Sequence, residues 1–193
     1  MKDINIKQIA QSIQNGDEQV FKEFYEAYFP RIFRFIAAIL KNPDDAEDVT
    51  SLAFIYVWDN SKKLQKGELL ASWLYQIAKH RALDFLRKKA SRPTTSLEGF
   101  EDSFESGEHA DRSAQNYFQA RQVEILLSDL SGEERALIYL RFVEDLSFED
   151  IAERTGSRSV TIRVRYHRAI KKLQKNVKNK EDDSLTESLA KFL

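Results

Sequence analysis

Only six glycines and three prolines punctuate the 193 residues of this chain, and between them lie long stretches whose apolar residues recur at helical period. No segment sustains the strict alternation of a half-buried strand between turn signals, so the chain is expected to be all-α. The spacing predicts helices near residues 5–14, 17–41, 43–60 and 68–90 in a first block, and near 114–129, 132–143, 148–154 and 159–178 in a second. Several starts carry their own signals. Asp17 after Asn15-Gly16 and Asn42 before Pro43 can each cap a helix, because a short polar side chain accepts from an otherwise orphaned amide and proline fits the first turn. Ser131 with Glu134 and Ser147 with Asp150 form the serine-x-x-acid pattern of a capping box. Pro30, inside YEAYFPRIFRF, is expected to kink or divide its helix.

Composition narrows the setting. An apolar fraction of 42% is enough for packed cores, and the absence of cysteine excludes a disulfide scaffold and a Cys-ligated zinc. The first residues lack the apolar segment of a signal peptide, and no run reaches the roughly 18 apolar residues of a membrane span, so a cytoplasmic location is expected. Between Thr94 and Asp111 stand six acids and no Lys or Arg, with serine and glycine and no periodicity, which reads as a linker. The expected organisation is two small helical domains, 1–92 and 113–178, joined by an acidic linker at 93–112 and followed by a tail at 179–193.

The charge is placed rather than general. From Ile151 to Lys180 there are ten Lys and Arg against Glu153 alone, in a chain whose net charge is −1. Ala152 and Gly156, four apart, supply the small contact and the positive-φ turn that a helix-turn-helix needs. Ile162, Tyr166, Ala169 and Leu173 then form one buried stripe, and the opposite side carries Val160, Thr161, Arg163, Val164, His167, Arg168 and Lys171. A solvated amphipathic helix would also carry such charge, but the turn spacing favours a major-groove reader, in which Arg reaches guanine edges or phosphates and Val meets a thymine methyl. Residues near the helix start are the base-reading candidates, and Lys171 and Lys172 are expected on phosphates or in solvent.

A second basic run, Lys79 to Arg92, has six Lys and Arg against Asp84 and points to backbone phosphates. Trp73, Leu74, Ile77 and Ala78 are expected to be core, with base stacking the alternative for Trp73. The acids of NPDDAEDV stabilise the positive end of a helix dipole, although four exceed what a dipole requires; a metal site lacks a nearby His or second cluster. SLAFIYVW, residues 51–58, is apolar all round its helix and must be buried on several sides or meet a partner.

Taken together, GDEQVFKEFYEAYFPRIFRF, DDAEDVTSLAFIYVW and ASWLYQIAKHRALDFLRKK, followed by LLSDLSGEERALIYLRFVEDLSFEDIAERTG and TIRVRYHRAIKKL, resemble the extracytoplasmic-function (ECF) sigma factors of the sigma-70 family over about residues 5–175. The resemblance implies a specificity subunit for RNA polymerase, engaging the clamp helices and flap of the core enzyme and promoter DNA. It implies core-polymerase contacts through Asp45, Glu47, Asp48, Ser51 and Phe54. It places −10 element contacts on Lys79, His80, Asp84, Arg87 and Lys88, and −35 element contacts on Arg158, Thr161, Arg163, Val164, His167 and Arg168. It further implies an anti-sigma factor as partner, and a linker threading toward the RNA exit path, where a plain tether is the alternative. Ser51-Leu52 replaces the family's usual Gln-Glu or Ser-Glu pair, His80 stands where Asn is usual, and Ser157 occupies a turn position that usually buries an aliphatic side chain.

A stand-alone helix-turn-helix regulator is the alternative function, but it has no need of the first block. His80, His109 and His167 are scattered, with no phosphate loop or HExxH pattern near them, so neither an enzyme with a small-molecule substrate nor a cofactor is expected. His80 and Asp84 have the spacing of a helix-surface pair.

Overall fold

The computed structural model describes residues 6–64, 70–91 and 127–178. Among them are seven α-helices and no strand: α1 (Ile6–Gln14), α2 (Glu18–Leu40), α3 (Pro43–Asn60) with a 3-10 turn at Ser61–Lys63, α4 (Leu70–Ser91), α5 (Gly132–Phe142), α6 (Phe148–Thr155) and α7 (Ser159–Lys178). The all-α expectation holds. The expected linker, residues 114–126 of the expected helix at 114–129, and the tail lie outside the described residues.

Local chemistry sets the helix ends. Asp17 accepts from the Val20 amide at 3.1 Å and Asn42 from the Asp45 amide at 2.8 Å. Both capping boxes are complete, with Ser131 and Ser147 each exchanging bonds with the acid three residues on. Each cap is worth about 1 kcal/mol. Pro30 does not divide α2, which runs through it unbroken. The proline ring is on the solvent side, so the carbonyl that loses its intrahelical partner faces water rather than the core.

α2 is the hub, touching α1, α3, α4 and α5. Its inward stripe, Ile32, Phe35, Ile36 and Ile39, has no solvent exposure. At roughly 1.5–3 kcal/mol per buried large side chain, this stripe is a main anchor of the fold. It does not stop at the first four helices. Leu137, Leu140, Ile151 and Ile162 from the C-terminal helices belong to the same continuous core, while Leu130, Ala169, Ile170 and Leu173 form a smaller one between α5 and α7.

Candidate functional site

The C-terminal helices build a helix-turn-helix from the residues the sequence marks. α6 ends at Gly156, whose φ of 64° is the left-handed conformation that lets the chain turn. The Ser157 amide returns to the Ala152 carbonyl at 2.9 Å, and Ala152 is buried against the next helix. Ile162, Ala169 and Leu173 are at most 4% exposed, which seats α7 by the expected stripe. Tyr166 is half-buried between Phe142 and Phe148. Ser157 leaves the turn without an aliphatic plug, and beside it lies a cavity of about 20 Å³ that Ile151, Ile162, Arg165 and Lys79 also line.

The opposite face of α7 is open. Val160 is 72% and Val164 44% exposed, and Arg158, Thr161, Arg163, His167 and Arg168 surround them. Not every cation there is free. Glu149 of α6 holds Arg163 at 2.7 Å, and Arg163 and Ser159 together with the residue's own backbone amide keep the Glu149 carboxyl below its usual range, the amide bond being the largest cause. Arg165 pairs with Glu133 at 3.1 Å. Lys172, expected on phosphate or in solvent, instead meets Glu134 at 2.8 Å, because α5 and α7 pack side by side and set the capping acid against it. Burial pushes the Glu134 carboxyl up, but Lys172 and Ser131 outweigh it and hold it low.

On α4, Leu74, Ile77 and Ala78 are core as expected, and Trp73 is half-buried with its ring 6.4 Å from Tyr56. His80, Arg87 and Lys88 are exposed. Asp84 pairs with Arg87 at 2.5 Å rather than with His80, since a guanidinium three residues on reaches the carboxylate directly. Lys79 is the exception among the −10 candidates. Its ammonium donates to the Thr155 carbonyl at 2.5 Å, at the end of α6, and burial, with Arg165 nearby, lowers its basicity.

α3 presents a different surface. Leu52, Ile55 and Tyr56 are 49%, 56% and 37% exposed and make one stripe with the exposed acids Asp48 and Asp59. Glu47 is also exposed. Beside the stripe, between α2 and α3, runs a groove of about 300 Å³ lined by Phe21, Tyr25, Ser51, Phe54, Ile55 and Trp58. Two of the residues taken for contacts are placed otherwise. Phe54 is 1% exposed, its ring set against Phe24, Tyr25 and Phe29, so it forms the floor of that groove and not part of the exposed stripe. Asp45 is engaged by Lys89 of α4 at 2.8 Å, tying the start of α3 to the end of α4. The residues that sequence reasoning did not single out are Leu52, Ile55 and Tyr56 within the apolar run; only the register of α3 against α2 and α4 tells which three stay outside.

Among the described residues no group of three or more His, Cys, Asp or Glu could hold a metal ion, and no helix is long and apolar enough to cross a membrane.

Comparison with known proteins agrees with this arrangement. Residues 24–92 match the family Sigma-70 region 2, and residues 120–173 match Sigma-70, region 4. The chain is 30% identical over 139 residues to RNA polymerase sigma factor SigV of Bacillus subtilis, covering 72% of this chain and 80% of that protein. It is 23% identical over 182 residues to ECF RNA polymerase sigma factor SigW of the same organism, covering 90% and 97%. Its fold is similar to that of CnrH in a complex with the cytosolic domain of CnrY, with a TM-score of 0.67 at 17% identity over 91% of this chain and 98% of that one. It is also similar to the sigma factor RpoE of Bartonella quintana in a complex with the anti-sigma factor NepR, with a TM-score of 0.57 at 23% identity over 83% and 98%. With both regions matched in order around the open face of α7 and the apolar stripe of α3, the chain belongs to the extracytoplasmic-function group of the sigma-70 family of RNA polymerase sigma factors.

Proposed function

We propose a division of labour for this sigma factor, which serves core RNA polymerase at promoter DNA in transcription initiation. The start of α7, with Arg158, Thr161, Arg163, Val164, His167 and Arg168, reads the −35 element. The exposed side of α4, with His80, Asp84, Arg87 and Lys88, and with the half-buried Lys79 beside them, meets the −10 element. The α3 stripe, Leu52, Ile55 and Tyr56, rimmed by Glu47 and Asp48 and flanked by Ser51, docks on the core enzyme, and the same surface suits an anti-sigma factor. The protein supplies contacts and catalyses no bond chemistry.

The observation that carries this reading is the open valine-containing face on a basic second helix of a helix-turn-helix. Val160 and Val164 stand open beside arginines on this face, and a groove-reading helix uses small apolar groups against thymine methyls. Run-off transcription with purified core polymerase on a library of promoter fragments tests it. Transcripts should start only from a subset sharing two spaced elements. Binding of DNA with no transcript from any fragment would favour a stand-alone regulator.

A further inference from the structure

Among the described residues three acids pair with cations of α7, and one of the three pairs has no packing to explain it. Glu133 and Glu134 stand on α5, which lies against α7, so Arg165 and Lys172 reach them across a packed seam. Glu149 is different. It belongs to the first turn of α6, its side chain is 60% exposed, and the cation it engages, Arg163, is 55% exposed on the open face of α7. An ion pair this exposed adds little to stability. What it fixes is where the guanidinium stands.

The hold on Arg163 comes from two sides. Glu149 Oε1 accepts from Nη2 at 2.7 Å, and the guanidinium carbon lies 5.7 Å from the centre of the Phe148 ring. Each of these partners is itself held. The Phe148 ring meets the half-buried Tyr166 edge-on at 5.1 Å. The Glu149 carboxylate takes its own backbone amide and, at 3.5 Å, the Ser159 hydroxyl, contacts that with Arg163 keep it ionised well into acid. The bond to Glu149 engages one nitrogen of the planar fork, which has further N–H groups on Nε and Nη1.

This arrangement bears on what Arg163 does at DNA. A bidentate bond to guanine requires the fork to point one way, whereas phosphates are met in many directions and carry no sequence information. A side chain ordered before binding loses less freedom in the complex, a difference of about two- to tenfold in affinity for one long side chain. That difference favours only a sequence whose acceptors lie where the fork already points. The carboxylate acts on the other outcome, because its charge beside the guanidinium repels a phosphate approaching the same place. Both effects widen the gap between the right sequence and any other.

We propose that Glu149, with Phe148 beside it, is a specificity-determining positioning residue for the −35 element: it presets Arg163 for a base edge and disfavours its use on phosphates. The proposal rests on the reading of α7 given above. Holoenzyme assembled from core polymerase and the full chain is titrated on two promoter duplexes that share the −10 element and carry either the preferred or a scrambled −35 element. The quantity read is the ratio of the two affinities. Glu149→Ala should lower that ratio by about three- to tenfold, and Arg163→Ala should lower it at least as far. In the Arg163→Ala background, Glu149→Ala should leave the ratio unchanged, because the carboxylate acts only through the guanidinium. Both side chains are exposed, so all three variants should keep the helical circular dichroism of the parent. A merely structural role, or the loss of one negative charge near the duplex, moves both affinities together; a parental ratio in Glu149→Ala therefore overturns the positioning role while Arg163 remains a base reader. A fall in the ratio that persists without Arg163 overturns it too, since Glu149 would then act on the bases itself. If Arg163→Ala leaves the ratio at the parental value, the reading of α7 fails, and the positioning role fails with it.

Discussion

α4 and α7 look alike as text and differ as surfaces. Each is a basic helix with aromatic residues on or beside it, but the fold assigns their charges to different partners. On α4, Lys79 caps α6, Arg81 lies 5.0 Å over the Tyr56 ring, Arg87 pairs with Asp84 and Lys89 ties to Asp45, which leaves His80 and Lys88 least engaged. On α7, the partnered cations Arg163, Arg165 and Lys172 leave Arg158, Arg168 and the two open valines toward solvent. A basic run is therefore a supply of charge, and only the packing tells which members face DNA. α4 spends most of its cations on holding the molecule together, whereas the start of α7 is an open face.

The largest effect that separates seat from face on α7 comes from Ile162. Truncation to alanine should cost about 2–5 kcal/mol, because a side chain only 3% exposed leaves a cavity between α5 and α6. Val160→Ala, two residues earlier and exposed, should change stability by less than about 0.5 kcal/mol while weakening binding to a preferred −35 duplex. Urea denaturation and duplex titration of both variants check this. A large stability loss from Val160→Ala would mean that this side of α7 is packed, and the contrast with α4 would collapse.

A finer test lies within α4. Lys88 and Lys89 are adjacent and both exposed, yet only Lys89 is bonded to an acid of α3. Lys88→Ala should flatten the salt dependence of promoter binding by the equivalent of about one phosphate contact, while Lys89→Ala should flatten it less. Titrations of holoenzyme on one promoter at several salt concentrations give the slopes.

The smallest effect concerns acid. The folded protein holds the Glu134 carboxyl below its ordinary value of 4.5, so its pairing with Lys172 stabilises the fold above that value and is lost as pH falls through the lowered one. Glu134→Gln keeps the side chain's reach and removes the charge. It should be less stable than the parent by under about 1 kcal/mol near neutrality, and the gap should close in acid. Denaturation of both proteins at neutral pH and below the glutamate range measures the difference.

Much of this arrangement is legible in the residues because its causes are local. The start of α3 follows from Asn42-Pro43, the starts of α5 and α6 from their capping boxes, and the seating of α7 from a stripe four and three residues apart. What is not legible has non-local causes. Nothing near Arg135 in the chain shows that its guanidinium ends on carbonyls nearly a hundred residues away, and Lys79 reads as one more DNA-facing lysine until α6 is seen to end against it. Phe54 and Leu52 are equally apolar, and only the turn of α3 against α2 separates core from surface. One faint signal was available: a glycine at the first position of α5, directly after its capping serine, where most residues are tolerated, marks a close approach of another backbone.

The central claim, that the start of α7 reads bases and its later turns do not, is tested most directly by two variants on two duplexes. Arg163→Ala and Lys171→Ala are titrated against the preferred −35 duplex and a scrambled one at two salt concentrations. Arg163→Ala should cost about 1–3 kcal/mol on the preferred sequence and little on the scrambled one, after allowance for the freed Glu149. Lys171→Ala should weaken both alike and lower the salt slope. If Arg163→Ala lowers affinity equally on the two duplexes, the arginine contacts phosphate, and base reading does not reside on this face.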